Sequence, residues 1–181
     1  MSESRAAYRY ALAVVGLAEE LNQFDAVGKD FEYLADLVRQ SREFVAFLRS
    51  PVINKERKNA VFAEILKSKV TDLTFNFVRL LTAKGREMIL SEIIVQFSKI
   101  RDERLGILRT SLRAAVPLTP EQERQLVDHL ERVTKKDVRL QYVQDKGLIG
   151  GFLVQYEDTV WDGSVRHQLE LLRRRFTESG K

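Results

Sequence analysis

The sequence contains no cysteine and only two histidines, His129 and His167, among 181 residues. Thiol nucleophiles, disulfides and thiolate metal sites are thereby excluded, and any zinc site would need carboxylates to complete its ligands. The compartment stays open, because a chain without thiols suits reducing and oxidising surroundings alike. Long apolar runs are missing as well. The longest, Tyr10 to Ala18, has nine residues, well short of the roughly 20 that a membrane-spanning helix needs. Arg5 and Arg9 precede it as they would the core of a secretory signal, but Glu19 and Glu20 follow at once without a small-residue cleavage site, so the run is read as a folded helix. Charge of one sign is also scarce. Thirty Lys and Arg face 26 Asp and Glu, a net +4 with no long block of either sign, which argues against a dedicated nucleic-acid arm. What remains is 44% hydrophobic and 31% charged, the composition of folded chain with enough apolar mass for one medium domain or two small ones.

Only three prolines interrupt the chain, and before Arg104 there is one, Pro51. Helical spacing recurs throughout that stretch. Leu34, Leu37 and Val38 continue into a segment ending in Phe44, Phe47 and Leu48, and Ser50-Pro51 stops it, because the residue before proline is pushed out of the helical region. Asn54 caps a helix carrying Val61, Ile65 and Leu66. Thr71 or Asp72 caps the next, with Phe75, Phe77, Val78, Leu80 and Leu81, and Lys84-Gly85-Arg86 ends it with a glycine signal. A last helix runs through Ile89, Ile93, Ile94, Phe97 and Ile100. The reading is a bundle of about six helices with short connections.

At Gly106 the period changes. Leu108, Thr110, Leu112, Ala114 and Val116 alternate with polar or small residues, the mark of a strand with one buried face. Thr119-Pro120-Glu121-Gln122 follows as a capping box with proline at the first helical position, opening a helix with a Leu126, Leu130 and Val133 stripe. Val138, Leu140 and Tyr142, then Phe152, Val154 and Tyr156 after Gly150-Gly151, predict two more strands. Glu157-Asp158 reads as a turn into a short strand at Val160-Trp161, and Asp162-Gly163-Ser164 opens a final helix with Val165, Leu169, Leu172 and Phe176. The fold expected is mainly α: a six-helix bundle over residues 1–105, then a small α+β domain over 106–181 in the order strand, helix, three strands, helix.

No constellation for catalysis emerges. Gly28-Lys29 lacks the upstream glycine of a phosphate loop, and Gly147, Gly150 and Gly151 precede a strand, which favours a backbone role over a dinucleotide fingerprint. His129 and His167 have no second histidine at helical spacing, and Glu19-Glu20 and Asp102-Glu103 read as solvated helix charges. Arg173-Arg174-Arg175 could meet phosphate, but at a helix C-terminus arginines also complement the macrodipole. Trp161 reads as core. The expectation is a chain with no catalytic residue, cofactor or metal.

One helix is unusual. Tyr10, Ala13, Val14 and Leu17 form one apolar stripe of the first helix, and Tyr8, Leu12 and Val15 form another. A peripheral helix of a small bundle buries one stripe. Spacing leaves two alternatives: a groove that accepts an amphipathic partner helix, or a central helix buried on both sides.

Several stretches, in order, resemble the delta subunit family of F-type ATP synthases, the oligomycin-sensitivity-conferring proteins. They are Arg9-Tyr10-Ala11 with Ala13, Leu17 and Ala18; Ser50-Pro51-Val52-Ile53 with Lys58; Asn76-Phe77 with Leu80-Leu81 and Lys84-Gly85-Arg86; Asp145 with Leu148-Ile149-Gly150-Gly151-Phe152; and Asp162-Gly163-Ser164-Val165 with Leu169. The resemblance covers nearly the whole chain. Gly16 and Leu12 depart from the polar residues usual in the family, as does the approach Gln144-Asp145-Lys146-Gly147.

The resemblance implies a non-catalytic stator subunit. Its helical domain would grip the N-terminal helix of an alpha subunit in a groove between the first and fifth helices, and its C-terminal domain would meet the ends of the peripheral-stalk b subunits. On this chain that groove would be Tyr10, Ala13, Val14 and Leu17 with Asn76, Phe77 and Leu80. Arg166, Arg173, Arg174 and Arg175 are candidates for an acidic stalk terminus by charge complementarity. Such a protein would bind no nucleic acid and would reach the membrane only through the complex, on the cytoplasmic face of a bacterial cell membrane, since no transit-like extension precedes the first helix. The alternative from composition is a nucleic-acid-binding or transcription-associated adaptor.

Overall fold

The computed structural model describes residues 2–145, 147–156 and 159–178. The Glu157-Asp158 turn and Lys146 lie outside the described residues. The chain divides into two compact units, Met1–Arg101 and Asp102–Lys181. It is mainly helical, with one four-stranded sheet.

The first unit is built from α1 (Ser2–Glu20), α2 (Phe24–Gln40), α3 (Arg42–Arg49), α4 (Lys55–Leu66), α5 (Asp72–Ala83) and most of α6 (Leu90–Arg104), with one 3-10 turn at Glu87–Ile89. The run from Leu34 to Leu48 is not one helix. Ser41 leaves the helical region at φ −115°, and its side chain accepts from the Phe44 amide, so it both ends α2 and caps α3. Asn54 caps α4 by accepting from the Arg57 amide, and Thr71 rather than Asp72 caps α5. Gly85, at φ +64°, closes α5: the Arg86 amide donates to Leu81 O at 2.8 Å and the Gly85 amide to Thr82 O at 3.0 Å. That pair of bonds requires a left-handed residue, which glycine adopts without a Cβ penalty.

The core of this unit is aromatic at its centre. Phe31 stacks on Phe97 with centroids 3.8 Å apart and lies 6.1 Å from Phe77. Phe44, Phe47 and Phe62 form a second ring cluster. Helix α1 reaches this core mainly through Ala7, Ala11, Val15 and Ala18, all fully buried. Val15 therefore belongs to the core and not to a second outer stripe, while Tyr8 and Leu12 are exposed. Alanine permits close helix approach, so the two larger-residue stripes are left at the sides of the contact.

The second unit consists of β1 (Ile107–Ala114), α7 (Pro120–Thr134), β2 (Asp137–Gln144), β3 (Phe152–Tyr156), β4 (Thr159–Asp162) and α8 (Val165–Glu178). The sheet order is β2-β1-β3-β4. β1 is parallel to β2, the pairing that α7 makes possible as a crossover, and antiparallel to β3, which pairs antiparallel with β4. Leu126 and Leu130 of α7 cover Leu108, Leu112, Val138 and Val154. The capping box forms: Gln122 N donates to the Thr119 hydroxyl, and the Gln122 side chain accepts from the Thr119 amide.

Several expected core positions lie outside. Val116 follows the end of β1 and is 71% exposed, and Val133 stands on the outer side of α7 at 54%. Tyr142 is exposed because β2 is an edge strand whose distal half has no covering layer. The stripe of α8 faces solvent, with Leu169 and Phe176 58% and 77% exposed. Gly151, at φ +80°, owes its identity to backbone proximity: a Cβ there would run into the carbonyl oxygen of Gly163.

Candidate partner-binding groove

Helices α1 and α5 run along the two sides of an open groove of about 840 Å³. Its α1 side presents Tyr10, Ala13, Val14 and Leu17, and its α5 side Asn76, Phe77 and Leu80, so the seven residues expected from sequence line one concavity. Leu21, Gln23, Thr71, Asp72 and Leu73 extend it at the other end. None of those five was assigned to the groove from sequence, although Leu21 continues the Leu17 row and Leu73 the Phe77 row at helical spacing of four.

The walls are rigidly mounted. Phe77 is buried beneath the groove and meets Tyr10 edge-on at 6.2 Å, which joins the groove floor to the Phe31 and Phe97 stack. At the opposite end the buried carboxylate of Asp30 accepts from the Thr71 amide at 2.9 Å and from the Thr71 hydroxyl at 2.6 Å. A carboxylate at a helix N-terminus is held by the unpaired amides and the dipole there. Asp30 thus fixes where α5 begins, and so where its apolar face points.

The lining itself is left wet. Leu17 is 46% exposed and Leu80 48%, while Val14 and Phe77 below them are buried. Partly exposed leucines above a buried apolar floor match the helix-in-groove mode of recognition, in which an amphipathic helix supplies the missing layer. The groove offers no convergent titratable groups for chemistry. Among the described residues no three His, Asp or Glu side chains come together as a metal ligand set, and no helix is long and apolar enough to cross a membrane.

The other expected contact residues are not gathered in one place. Arg166, Arg173, Arg174 and Arg175 all stand exposed on α8; Arg166 and Arg173, seven residues apart, share one side of it, and Arg174 and Arg175 point to others. His129 lies against the ring of Trp161 at 5.6 Å, and His167 is partly buried on α8.

Residues 6–176 match the family described as ATP synthase delta (OSCP) subunit. The ATP synthase subunit delta of Chlorobaculum parvum is 39% identical over 173 residues, 96% of each chain. That of Chlorobium limicola is 38% identical over 181 residues, 100% of this chain and 99% of the relative. A chain in the cryo-EM structure of the Toxoplasma gondii mitochondrial ATP synthase hexamer shares the fold, with TM-score 0.69 at 22% identity, over 94% of this chain and 97% of that one. At near-full coverage and close to 40% identity, the chain belongs to the ATP synthase delta (OSCP) subunit family.

Proposed function

We propose that this delta-family subunit acts as the clamp of the synthase stator, with one unit for each of two partners. It is a non-catalytic subunit of a complex that couples proton transport to ATP synthesis. The α1/α5 groove receives the N-terminal helix of an alpha subunit at the catalytic head, and the second unit receives the ends of the peripheral-stalk b subunits. Torque from the rotor is then resisted through this chain, on the cytoplasmic face of the bacterial membrane. The reading rests on the α1/α5 groove, an apolar channel with a buried floor and wet leucine walls. A helix laid in it would cover Leu17 and Leu80, and an interface of standard size buries about 800 Å² on each partner. Family membership replaces the nucleic-acid adaptor considered from composition.

Each unit has its own hydrophobic core, so the division of labour is testable by truncation. A protein ending at Leu105 is expected to bind an alpha-subunit N-terminal peptide like the full chain and to lose binding to a soluble b-subunit fragment. Retention of both activities by the truncated protein would contradict the assignment.

A further inference from the structure

The α5 wall of the groove sets one polar residue among apolar ones. Leu73, Asn76 and Leu80 follow one another at spacings of three and four, so they share a face of α5, with Phe77 buried beside them. The other polar groups of the lining are placed or occupied differently. Gln23, Thr71 and Asp72 stand at the end where α5 begins. The Tyr10 hydroxyl already accepts from Arg86 at 2.9 Å, and the Thr71 hydroxyl donates to Asp30 at 2.6 Å. Asn76, midway along the wall, is exposed, and among the described residues its amide has no hydrogen-bond partner. Helix stability does not ask for it, since leucine is the better helix former and would complete the apolar row.

Water satisfies that amide while the groove is open. A helix laid between the walls displaces the water, and an amide buried without a partner weakens binding by about tenfold or more. The backbone of the incoming helix cannot serve, because its own amides and carbonyls are bonded to each other. A side chain must. We propose that Asn76 selects the bound helix and sets its register: the helix carries one uncharged side chain with both donor and acceptor, Asn, Gln, Ser or Thr, within its apolar face, and lies where that group meets the Asn76 amide. The inference rests on the reading that the α1/α5 groove receives a helix of the catalytic head, and it adds the chemistry and alignment of that helix. A single asparagine in an apolar coiled-coil seam acts in the same way, fixing register at a cost in stability. Discrimination comes from the misaligned state, in which a shift of one turn would set each polar group against an apolar side chain and leave both unpaired.

The test uses the full chain and a synthetic alpha-subunit N-terminal peptide from the same organism, with affinity measured by calorimetric titration. Asn76→Leu is expected to weaken binding about tenfold, with thermal unfolding no lower than in the parent because the side chain is exposed. The second arm replaces each Asn, Gln, Ser and Thr of the peptide in turn by leucine. One such peptide is expected to bind the parent about tenfold more weakly than the unsubstituted peptide, yet to bind Asn76→Leu at least as tightly as the unsubstituted peptide binds the parent. That exchange of preference is one that a merely structural role for Asn76 would not produce. Undiminished affinity of Asn76→Leu for the unsubstituted peptide, or a set of leucine peptides none of which distinguishes the two proteins, would overturn the selecting role while leaving the groove reading standing. Failure of the unaltered chain to bind the unsubstituted peptide would overturn the groove reading itself.

Discussion

Arg86 holds Tyr10 in two ways: its Nη1 donates to the tyrosine hydroxyl at 2.9 Å, and its guanidinium carbon lies 5.7 Å from the ring centroid. The two residues are 76 apart in sequence, and the glycine turn that ends α5 brings them together. Tyr10 is the largest side chain of the α1 wall, so its ring orientation sets the width of the groove at that end.

Removing the cation should loosen that wall without emptying the core. A cation–π contact at an exposed site contributes about 0.5–1 kcal/mol. Arg86→Ala is therefore expected to lower affinity for an alpha-subunit N-terminal peptide about two- to fivefold, with unfolding temperature little changed. Calorimetric titration checks the first and thermal melting the second.

Lys58, one of the residues that carry the family resemblance, is a buried charge. Its Nζ donates to Glu87 Oε1 at 2.6 Å and to Leu48 O at 3.3 Å, tying α4 to the end of α3 and to the turn before α6. Glu87 Oε2 has no hydrogen-bond partner. Removing one member of a buried pair leaves an uncompensated charge and costs about 3–5 kcal/mol, whereas replacing both with apolar residues is often neutral. Lys58→Met should accordingly destabilise the first unit by about that amount, and Lys58→Met with Glu87→Leu should recover most of it in urea unfolding.

Much of this architecture was legible because its signals are local. Asn54, Thr71, Gly85 and the Thr119-Gln122 box act within a turn of themselves, so side-chain type and spacing suffice to place them. Ser41 is the same kind of residue, but it sits within a continuous helical pattern, where only the tertiary packing of Phe44 and Leu48 reveals that the chain bends. The groove residues were legible through the family resemblance, and those of the first helix, Tyr10, Ala13, Val14 and Leu17, also through their helical spacing. The face of α1 that meets the core was not, since Ala7, Ala11 and Ala18 carry little hydrophobic signal yet decide which stripe stays outside. In α8 the spacing was plain but its direction was not: the same heptad serves an inner core or an outer partner, and burial alone separates them.

Acid should weaken the entry to α8. The Asp162 carboxyl is held below the usual carboxylate range by hydrogen bonds from Ser164, first the side chain and then the backbone amide, the latter at 2.8 Å. A carboxyl with a lowered folded-state pKa stabilises the fold above its unfolded pKa of about 4 and loses that contribution as pH falls through the lower folded value. Asp162→Ala should remove this pH-dependent part. Acid titration of Trp161 fluorescence, the signal of the single tryptophan, is expected to show a shallower pH dependence below about pH 4 in the variant than in the parent.

The central claim is that the α1/α5 groove takes a helix from the catalytic head, and Tyr10→Asp tests it most directly. An aromatic supplies contact area with few rotors to freeze, and a carboxylate in its place would be desolvated by the incoming apolar face. Calorimetric titration of the full chain with an alpha-subunit N-terminal peptide is expected to show at least a tenfold loss of affinity in Tyr10→Asp, with helix content by circular dichroism unchanged. Undiminished affinity in a folded Tyr10→Asp protein would contradict the account.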